Sequence, residues 1–331
     1  MLIETEPLLS PPRVAGASSL LGAGRWLAWG ALISVTALLV RAETSRPAPP
    51  QGVEAYTDII YRRVGDRRVT LDLYVPKTPA PPRGRPAVIA LHGGGWHGGS
   101  KNGFGRDAAR LAQHGYVVAS ADYLLSRPDE ASWPENLEDV RTAVRWLRSH
   151  AVDYDVNPNQ IAALGESAGA HLAILLGTCP EDTDPPGLAS GTTDPDSKEV
   201  SARVQAVISF YGPTDLETLR NSSPVAARSI VLMVGGMPHE LSARCAAASP
   251  VRHVSCNAPP MLLIHGQADP LVPLDQSQNL ALALHRCGVR QRLVVIAGQA
   301  HGFGLSLDGR DLVSDILAFL DAVWKDRQEN P

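Results

Sequence analysis

Cysteine is scarce in this chain of 331 residues: there are four, and no two stand in a Cys-x-x-Cys spacing. That excludes the ligand pattern of a structural zinc site and of a dithiol redox centre. Aromatic residues make up only 5%, little material for a long carbohydrate-stacking platform. Positive charge is not in excess either. With 30 Lys and Arg against 34 Asp and Glu, the formal net charge is −4, and the electrostatic footprint of a nucleic-acid-binding protein is missing. No Gly-x-Gly-x-x-Gly or Walker loop occurs, and no His-x-x-x-His pair stands on a helix beside a Glu, so neither a dinucleotide nor a catalytic zinc is implied. The chain calls for no metal and no cofactor. What it has is 44% hydrophobic and 19% charged residues, enough for one large core.

Only one long apolar run interrupts this composition. Trp26 to Val40 is uncharged, with Arg25 before it and Arg41-Ala42 after it. A spanning helix wants about 20 apolar residues and a signal-peptide core about 7–15, so export with cleavage near Ala42 is the favoured reading. An uncleaved anchor tethering the protein to a membrane stays open, because the segment ahead of Arg25 is long and carries Glu4 and Glu6. Residues 1–42 are therefore expected to be leader or anchor. Residues 43–54, with Pro47, Pro49 and Pro50, form a linker, and 55–328 form the folded domain.

Within that domain, Gly165-Glu166-Ser167-Ala168-Gly169 follows an apolar run, Ile161 to Leu164, and precedes a helical stretch, Ala170 to Leu176. Glycines around a serine at a strand-to-helix turn form a nucleophile elbow, which lifts the hydroxyl above the sheet and aims a helix N-terminus at the reacting atom. A serine hydroxyl is a poor nucleophile alone. It needs a base, the base needs an orienting acid, and the oxyanion needs donors. Asp269, just past the apolar strand Met261 to Ile264, is the candidate acid. His301, just past Leu293 to Ile296 and followed by Gly302, is the candidate base. Ser, acid, His is the chain order expected where such an elbow occurs. Upstream, His92-Gly93-Gly94-Gly95-Trp96 follows another buried strand. Gly94 and Gly95, with Ala168 after the nucleophile, are the expected oxyanion donors, and His92 is expected to hold that loop. Trp96, Tyr123, Tyr211 and Phe303 are candidate pocket walls, with burial in the core an equal alternative for each.

From about Tyr56 to Trp324 the chain resembles the alpha/beta-hydrolase superfamily. Within it, the chain is similar to carboxylesterases of the hormone-sensitive-lipase-like and BD-FAE-like (feruloyl or acetylxylan esterase-like) groups. The resemblance rests on His92 to Trp96 with Gly98-Gly99-Ser100-Lys101, Asp122-Tyr123, Trp133-Pro134 with Asp139, Gly165 to Gly169 with His171-Leu172-Ala173, Asp269 with Val272-Pro273, and His301-Gly302-Phe303. One departure is Tyr123-Leu124-Leu125 where such proteins often read Tyr-Arg-Leu, which puts a local ion pair in doubt. The resemblance implies a serine carboxylesterase. Two other readings stay open: a serine peptidase of the prolyl-oligopeptidase type, and a catalytically silent hydrolase-fold module used for binding.

The pattern of elements agrees. Strand signals at Tyr56–Val64 and Val69–Tyr74 look like a hairpin. Six further strands, at Val88–Leu91, Val117–Ala121, Ile161–Leu164, Val204–Phe210, Met261–Ile264 and Leu293–Ile296, alternate with helical stretches at Arg106–Gln113, Glu135–Ser149, Ala168–Leu176, Leu274–Arg286 and Asp311–Asp326. This predicts an α/β fold with a mostly parallel central sheet of about eight strands and helices on both faces. Residues 212–256 read as a small cap, and 180–200, rich in Asp, Pro, Gly and Thr, as a polar surface insertion. The four cysteines allow three pairings; Cys245 with Cys256 would close a short loop in the cap, against the alternative of four free thiols. The expected partner is a small soluble ester, with no role for nucleic acid and the oligomeric state left open.

Overall fold

The computed structural model describes residues 49–179, 200–307 and 309–329. The expected leader or anchor, the first part of the linker and nearly all of the 180–200 insertion lie outside the described residues. The architecture that follows lies within residues 45–331.

An antiparallel hairpin opens it: β1 (Val53–Val64) and β2 (Arg67–Pro76) are joined across Gly65-Asp66. Gly65 has φ 56°, the value a two-residue hairpin turn requires at its first central position and that glycine adopts without steric cost. The parallel strands follow as β3 (Arg85–Leu91), β4 (Val117–Ala121), β5 (Val156–Glu166), β6 (Ala206–Phe210), β7 (Met261–Gly266) and β8 (Gln291–Ile296). Their order is β1-β2-β4-β3-β5-β6-β7-β8, with β2 antiparallel to β4 and every later pair parallel. The sheet thus has the eight strands and the mixed character expected. A minor two-stranded hairpin lies at Ser306–Leu307 and Arg310–Asp311.

Helices cover both faces because successive strand residues point to opposite sides. Ala87, Ile89 and Leu91 join one apolar layer with α2 (Glu135–Ser149), α3 (Ala168–Thr178) and α7 (Asp275–Arg286). Val88 and Ala90 join the other, with α1 (Gly105–Gln113) and α8 (Leu312–Glu329). Along α8 the buried hydrophobic residues are Leu312, Val313, Ile316, Phe319, Leu320, Val323 and Trp324, at the spacing of one broad helical face. Burial of each such side chain contributes roughly 1.5–3 kcal/mol relative to exposure.

Between β6 and β7 stand α4 (Leu216–Ser222), α5 (Pro224–Val234) and α6 (Leu241–Ala247), then a 3-10 turn at Pro250–His253. Each of the first two starts on a side-chain cap: Asp215 accepts from the Thr218 N–H at 3.2 Å and Ser223 from the Ala226 N–H at 3.3 Å, satisfying amides that a helix start leaves unpaired. This is the stretch expected to form the cap.

Two expectations change. The arginine missing after Tyr123 is replaced from the hairpin: Asp139, fully buried on α2, pairs with Arg62 and with Arg67 at 2.6 Å, and also accepts from the Leu124 N–H at 2.8 Å. The Cys245–Cys256 pairing is not formed, and none of the four cysteines is in a disulfide. Cys245 is buried on α6 near Arg220, whereas Cys256 is exposed and raises the pKa of the Cys287 thiol.

Candidate active site

The nucleophile position is set by steric demands on its neighbours. Ser167, between β5 and α3, has φ 51° and ψ −116°, a strained conformation for a residue with a side chain. A Cβ on Gly165 would lie 2.3 Å from the Gly169 carbonyl oxygen, and one on Gly169 would lie 2.2 Å from that of Leu91. The turn closes this tightly only because both are glycine. The Ser167 N–H donates to the Phe210 carbonyl at 2.9 Å, and its own carbonyl accepts from the His171 N–H at 3.0 Å. The strain is therefore held from β6 on one side and by the first turn of α3 on the other.

His301, on the loop after β8, stands between the other two groups. Its Nε2 is 2.9 Å from Ser167 Oγ and its Nδ1 2.6 Å from Asp269 Oδ2. The sequence separations are 134 and 32 residues, so this is a tertiary assembly of three loops at the C-terminal ends of β5, β7 and β8. Asp269 Oδ1 accepts from the N–H groups of Leu271 and Val272, both at 2.9 Å. Burial pushes its carboxyl up, but hydrogen bonds from His265, His301 and Val272 outweigh this and hold it well below the usual carboxylate range. An ionised carboxylate on Nδ1 fixes the imidazole with its proton there and leaves Nε2 free to accept from the serine.

The oxyanion loop runs past the nucleophile. A Cβ on Gly93 would be 3.5 Å from that of Ser167. Gly94 and Gly95 have φ 123° and 60°, and a Cβ on Gly94 would be 2.1 Å from the Gly98 carbonyl oxygen. Gly94 accepts from the N–H groups of His97 and Gly98, while the N–H groups of Gly94, Gly95 and Ala168 make no backbone hydrogen bond among the described residues. Donors not consumed by the fold, around an exposed edge of the nucleophile, are what a developing oxyanion requires.

The four candidate wall aromatics are interior side chains, 2–5% exposed, and their polar atoms grip the framework. Tyr123 donates to the His92 carbonyl at 2.7 Å and stacks on the His92 ring at 4.4 Å. Trp96 donates to His171 Nδ1 at 3.2 Å. Tyr211 donates to the Phe303 carbonyl at 2.6 Å, and its ring lies 4.6 Å from that of His301. An aromatic just past a strand end reads alike in sequence whether it faces substrate or supports a loop. Here all four make supporting contacts.

Two histidines beside the site were not assigned a role from the sequence. His265, four residues before Asp269 on β7, accepts from the Ser277 hydroxyl at 2.7 Å, donates to the Val272 carbonyl at 2.8 Å and lies 3.5 Å from Asp269 Oδ2. Its offset of four from the acid was the available signal. His171, on α3, has no such local signal. Among the described residues no group of three His, Cys, Asp or Glu side chains is arranged to hold a metal ion. A surface cavity of about 750 Å³ opens between residues 128–131 and α5. No triad residue lines it. Ser229 of α5, however, lies 3.1 Å from His97 Nε2 beside the oxyanion loop, so α5 reaches the edge of the site.

The comparisons with known proteins agree with this geometry. Residues 71–284 match the BD-FAE family. The chain is 30% identical over 285 residues to Esterase LipQ of Mycobacterium tuberculosis, covering 83% of this chain and 65% of LipQ. It therefore spans just under two thirds of that relative. Among solved structures it is similar to a truncated carbohydrate esterase from gut microbiota, with a TM-score of 0.73, 25% identity, and coverage of 84% of this chain and 99% of that one. It is also similar to the propionate-bound esterase Est2 of Thermogutta terrifontis, with a TM-score of 0.64, 29% identity, and coverage of 86% and 97%.

Proposed function

The chain belongs to the BD-FAE family, within the alpha/beta-hydrolases, and on that premise we propose that it is a serine carboxylesterase that cleaves short-chain carboxylic esters through an acyl-serine intermediate. The observation that carries the reading is the continuous hydrogen-bonded line from Asp269 through His301 to Ser167. His301 Nε2 removes the hydroxyl proton as Ser167 Oγ attacks the ester carbonyl. Asp269 stabilises the imidazolium, and the N–H groups of Gly94, Gly95 and Ala168 bind the oxyanion. The imidazolium then protonates the departing alcohol, and water releases the acid by the same steps in reverse.

Three observations support a short acyl group. The cap consists of helices of 7, 11 and 7 residues, with no long apolar lid among the described residues. Aromatic content is low. The Thermogutta relative carries propionate, a three-carbon acid. On the same reading the protein works outside the cytoplasm, exported or tethered by Trp26 to Val40.

The test is a nitrophenyl ester series with the domain beginning near Glu43. We expect kcat/KM for acetyl and butyryl esters to exceed that for palmitoyl by about tenfold or more. A maximum at long chains, or strong activation at an oil–water interface, overturns the short-chain reading. Fluorophosphonate labelling of Ser167 excludes a silent binding module, and a peptide panel left intact excludes a peptidase.

A further inference from the structure

The oxyanion loop carries a strain that its own sequence does not support. Trp96 has φ 62°, and a bulky side chain in the left-handed region is a true outlier that persists only where surroundings over-determine it. Three contacts do so. The Tyr123 hydroxyl holds the His92 carbonyl at the entrance of the loop, the Ser126 N–H donates to the Trp96 carbonyl at 2.8 Å, and the Trp96 indole N–H donates to His171 Nδ1. Only the third reaches the helix that carries the nucleophile.

His171 is fully buried one turn into α3. Its backbone N–H donates to the Ser167 carbonyl, its Nδ1 accepts from Trp96, and its Nε2–H donates to the carbonyl of Ala248, just past α6, at 2.7 Å. The indole and imidazole meet edge to face at 5.2 Å. Both ring nitrogens are spent, which specifies one neutral tautomer. Burial favours that neutral form, pushing the pKa down to about 4 against the Ala248 hydrogen bond.

We propose that His171 is a positioning residue for the oxyanion hole: through Trp96 it registers the N–H groups of Gly94 and Gly95 against Ser167, and through Ala248 it ties that register to the cap. The proposal rests on the esterase reading above. It acts through Trp96 and touches no reacting atom. Because oxyanion donors act on charge that exists only in the transition state, loss of their register lowers kcat rather than raising KM.

The experiment uses the full-length protein, four variants and three readouts. Wild-type protein is first shown to be labelled by a fluorophosphonate and to hydrolyse a butyryl ester; failure at that step overturns the esterase reading and leaves the variants unread. His171→Leu, similar in volume but without either hydrogen bond, is expected to lower kcat about 10- to 100-fold with KM within about twofold. Trp96→Phe, which removes the indole N–H along with part of the ring system, should show the same split. The double variant Trp96→Phe/His171→Leu should be no slower than the slower single, as expected of two groups in one unit. His171→Gln, whose amide can accept from Trp96 and donate to Ala248, should recover most of the loss. Affinity for an alkyl boronic acid, which becomes tetrahedral on Ser167, should fall with kcat. A folded His171→Leu with wild-type kcat, a loss confined to KM, or multiplicative losses in the double variant would each overturn the proposal. If His171→Leu does not fold, Trp96→Phe and His171→Gln decide it by the same kcat split and boronate affinity.

Discussion

The two halves of the candidate site are held by different forces. On the nucleophile side, Gly165, Gly169 and Gly94 leave gaps into which backbone carbonyls press, and Ser167 and Trp96 sit at positive φ. On the acid–base side, Asp269 and His301 are not at positive φ, and their place is fixed by hydrogen bonds: the Leu271 and Val272 N–H groups donate to Asp269, His265 donates to the Val272 carbonyl, and Tyr211 donates to the Phe303 carbonyl. The nucleophile half is specified mainly by where side chains are absent, the acid–base half mainly by which side chains are present, with Gly266 the exception: a Cβ there would lie 2.3 Å from the Gln299 carbonyl oxygen. The nucleophile half should therefore be brittle to any added atom, and the acid–base half sensitive to lost polar groups but, away from Gly266, tolerant of shape.

The largest effect falls where the halves meet. Ser167→Ala or His301→Ala should each lower kcat about 10⁴-fold or more while the fold survives, since triad members act as a unit. Asp269→Asn should approach that loss, because an amide no longer specifies the productive tautomer. Asp215, which caps α4, should matter only for stability. Steady-state kinetics with a butyryl ester and circular dichroism check all four, and wild-type-like turnover in the Ser167 or His301 variant would break the assignment.

Next come substitutions that pit the halves against each other. Gly169→Ala places a Cβ against two backbone carbonyls, at 2.2 Å from Leu91 O and 2.4 Å from His92 O. It should cost about 3 kcal/mol or more of stability, at the severe end of overpacking, along with most activity. Gly103→Ala, with nothing within 4 Å of the added atom, is the matched control and should stay within about 0.5 kcal/mol. On the other side, Ser277→Ala removes the hydroxyl that fixes His265, itself beside Asp269. A loss of about 1–3 kcal/mol is expected from the unpaired buried imidazole nitrogen, with kcat reduced only several-fold. If the serine variant proved as damaging as the glycine variant, the contrast would not hold.

Legibility follows the same division. The elbow, the glycine loop and the order Ser167, Asp269, His301 could be read because steric demands and strand ends leave local marks in sequence. So did the strands: α2 has the predicted bounds, and β5 extends past its expected core only at both ends. The supporting polar contacts left no such mark. Trp96 and His171 are 75 residues apart, Tyr123 and His92 are 31, and Arg62 and Asp139 are 77. Nothing in either partner's neighbourhood announces the other, so the aromatics read equally as pocket or core, and the partners of Asp139 stay hidden.

Acid should expose this hidden layer. The folded protein keeps His171 neutral down to about pH 4 and also lowers the pKa of His92 by burial, whereas an unfolded histidine titrates near 6.5. The unfolded chain binds more protons between those values, so stability present above about pH 6.5 is lost as pH falls toward 4, by roughly 2–3 kcal/mol for His171. Asp269, whose carboxyl is depressed, adds a further loss only below the ordinary Asp range near 3.9. Urea midpoints should decline across pH 6.5 to 4 in wild type and decline less in His171→Gln; an equal decline would remove His171 as the cause.

The smallest effect lies at the far end of the acid–base half. Cys256 precedes β7 and Cys287 precedes β8, and these strands start side by side, with Met261 opposite Gln291. The two thiols interact, and Cys256 raises the Cys287 pKa. Cys179 and Cys245 are buried elsewhere. Mild oxidation by a low-molecular-weight disulfide should therefore join Cys256 to Cys287, with two thiols of the oxidant released and none of the four reacting as Cys245–Cys256. The link ties strand starts, opposite the ends that carry Asp269 and His301, so kcat should stay within about twofold while the thermal midpoint rises by a few degrees. Peptide mapping under non-reducing conditions identifies the pair. A large activity change on oxidation would mean that the starts of β7 and β8 govern the acid–base loops, and that this half of the site is less rigidly held than its hydrogen bonds imply.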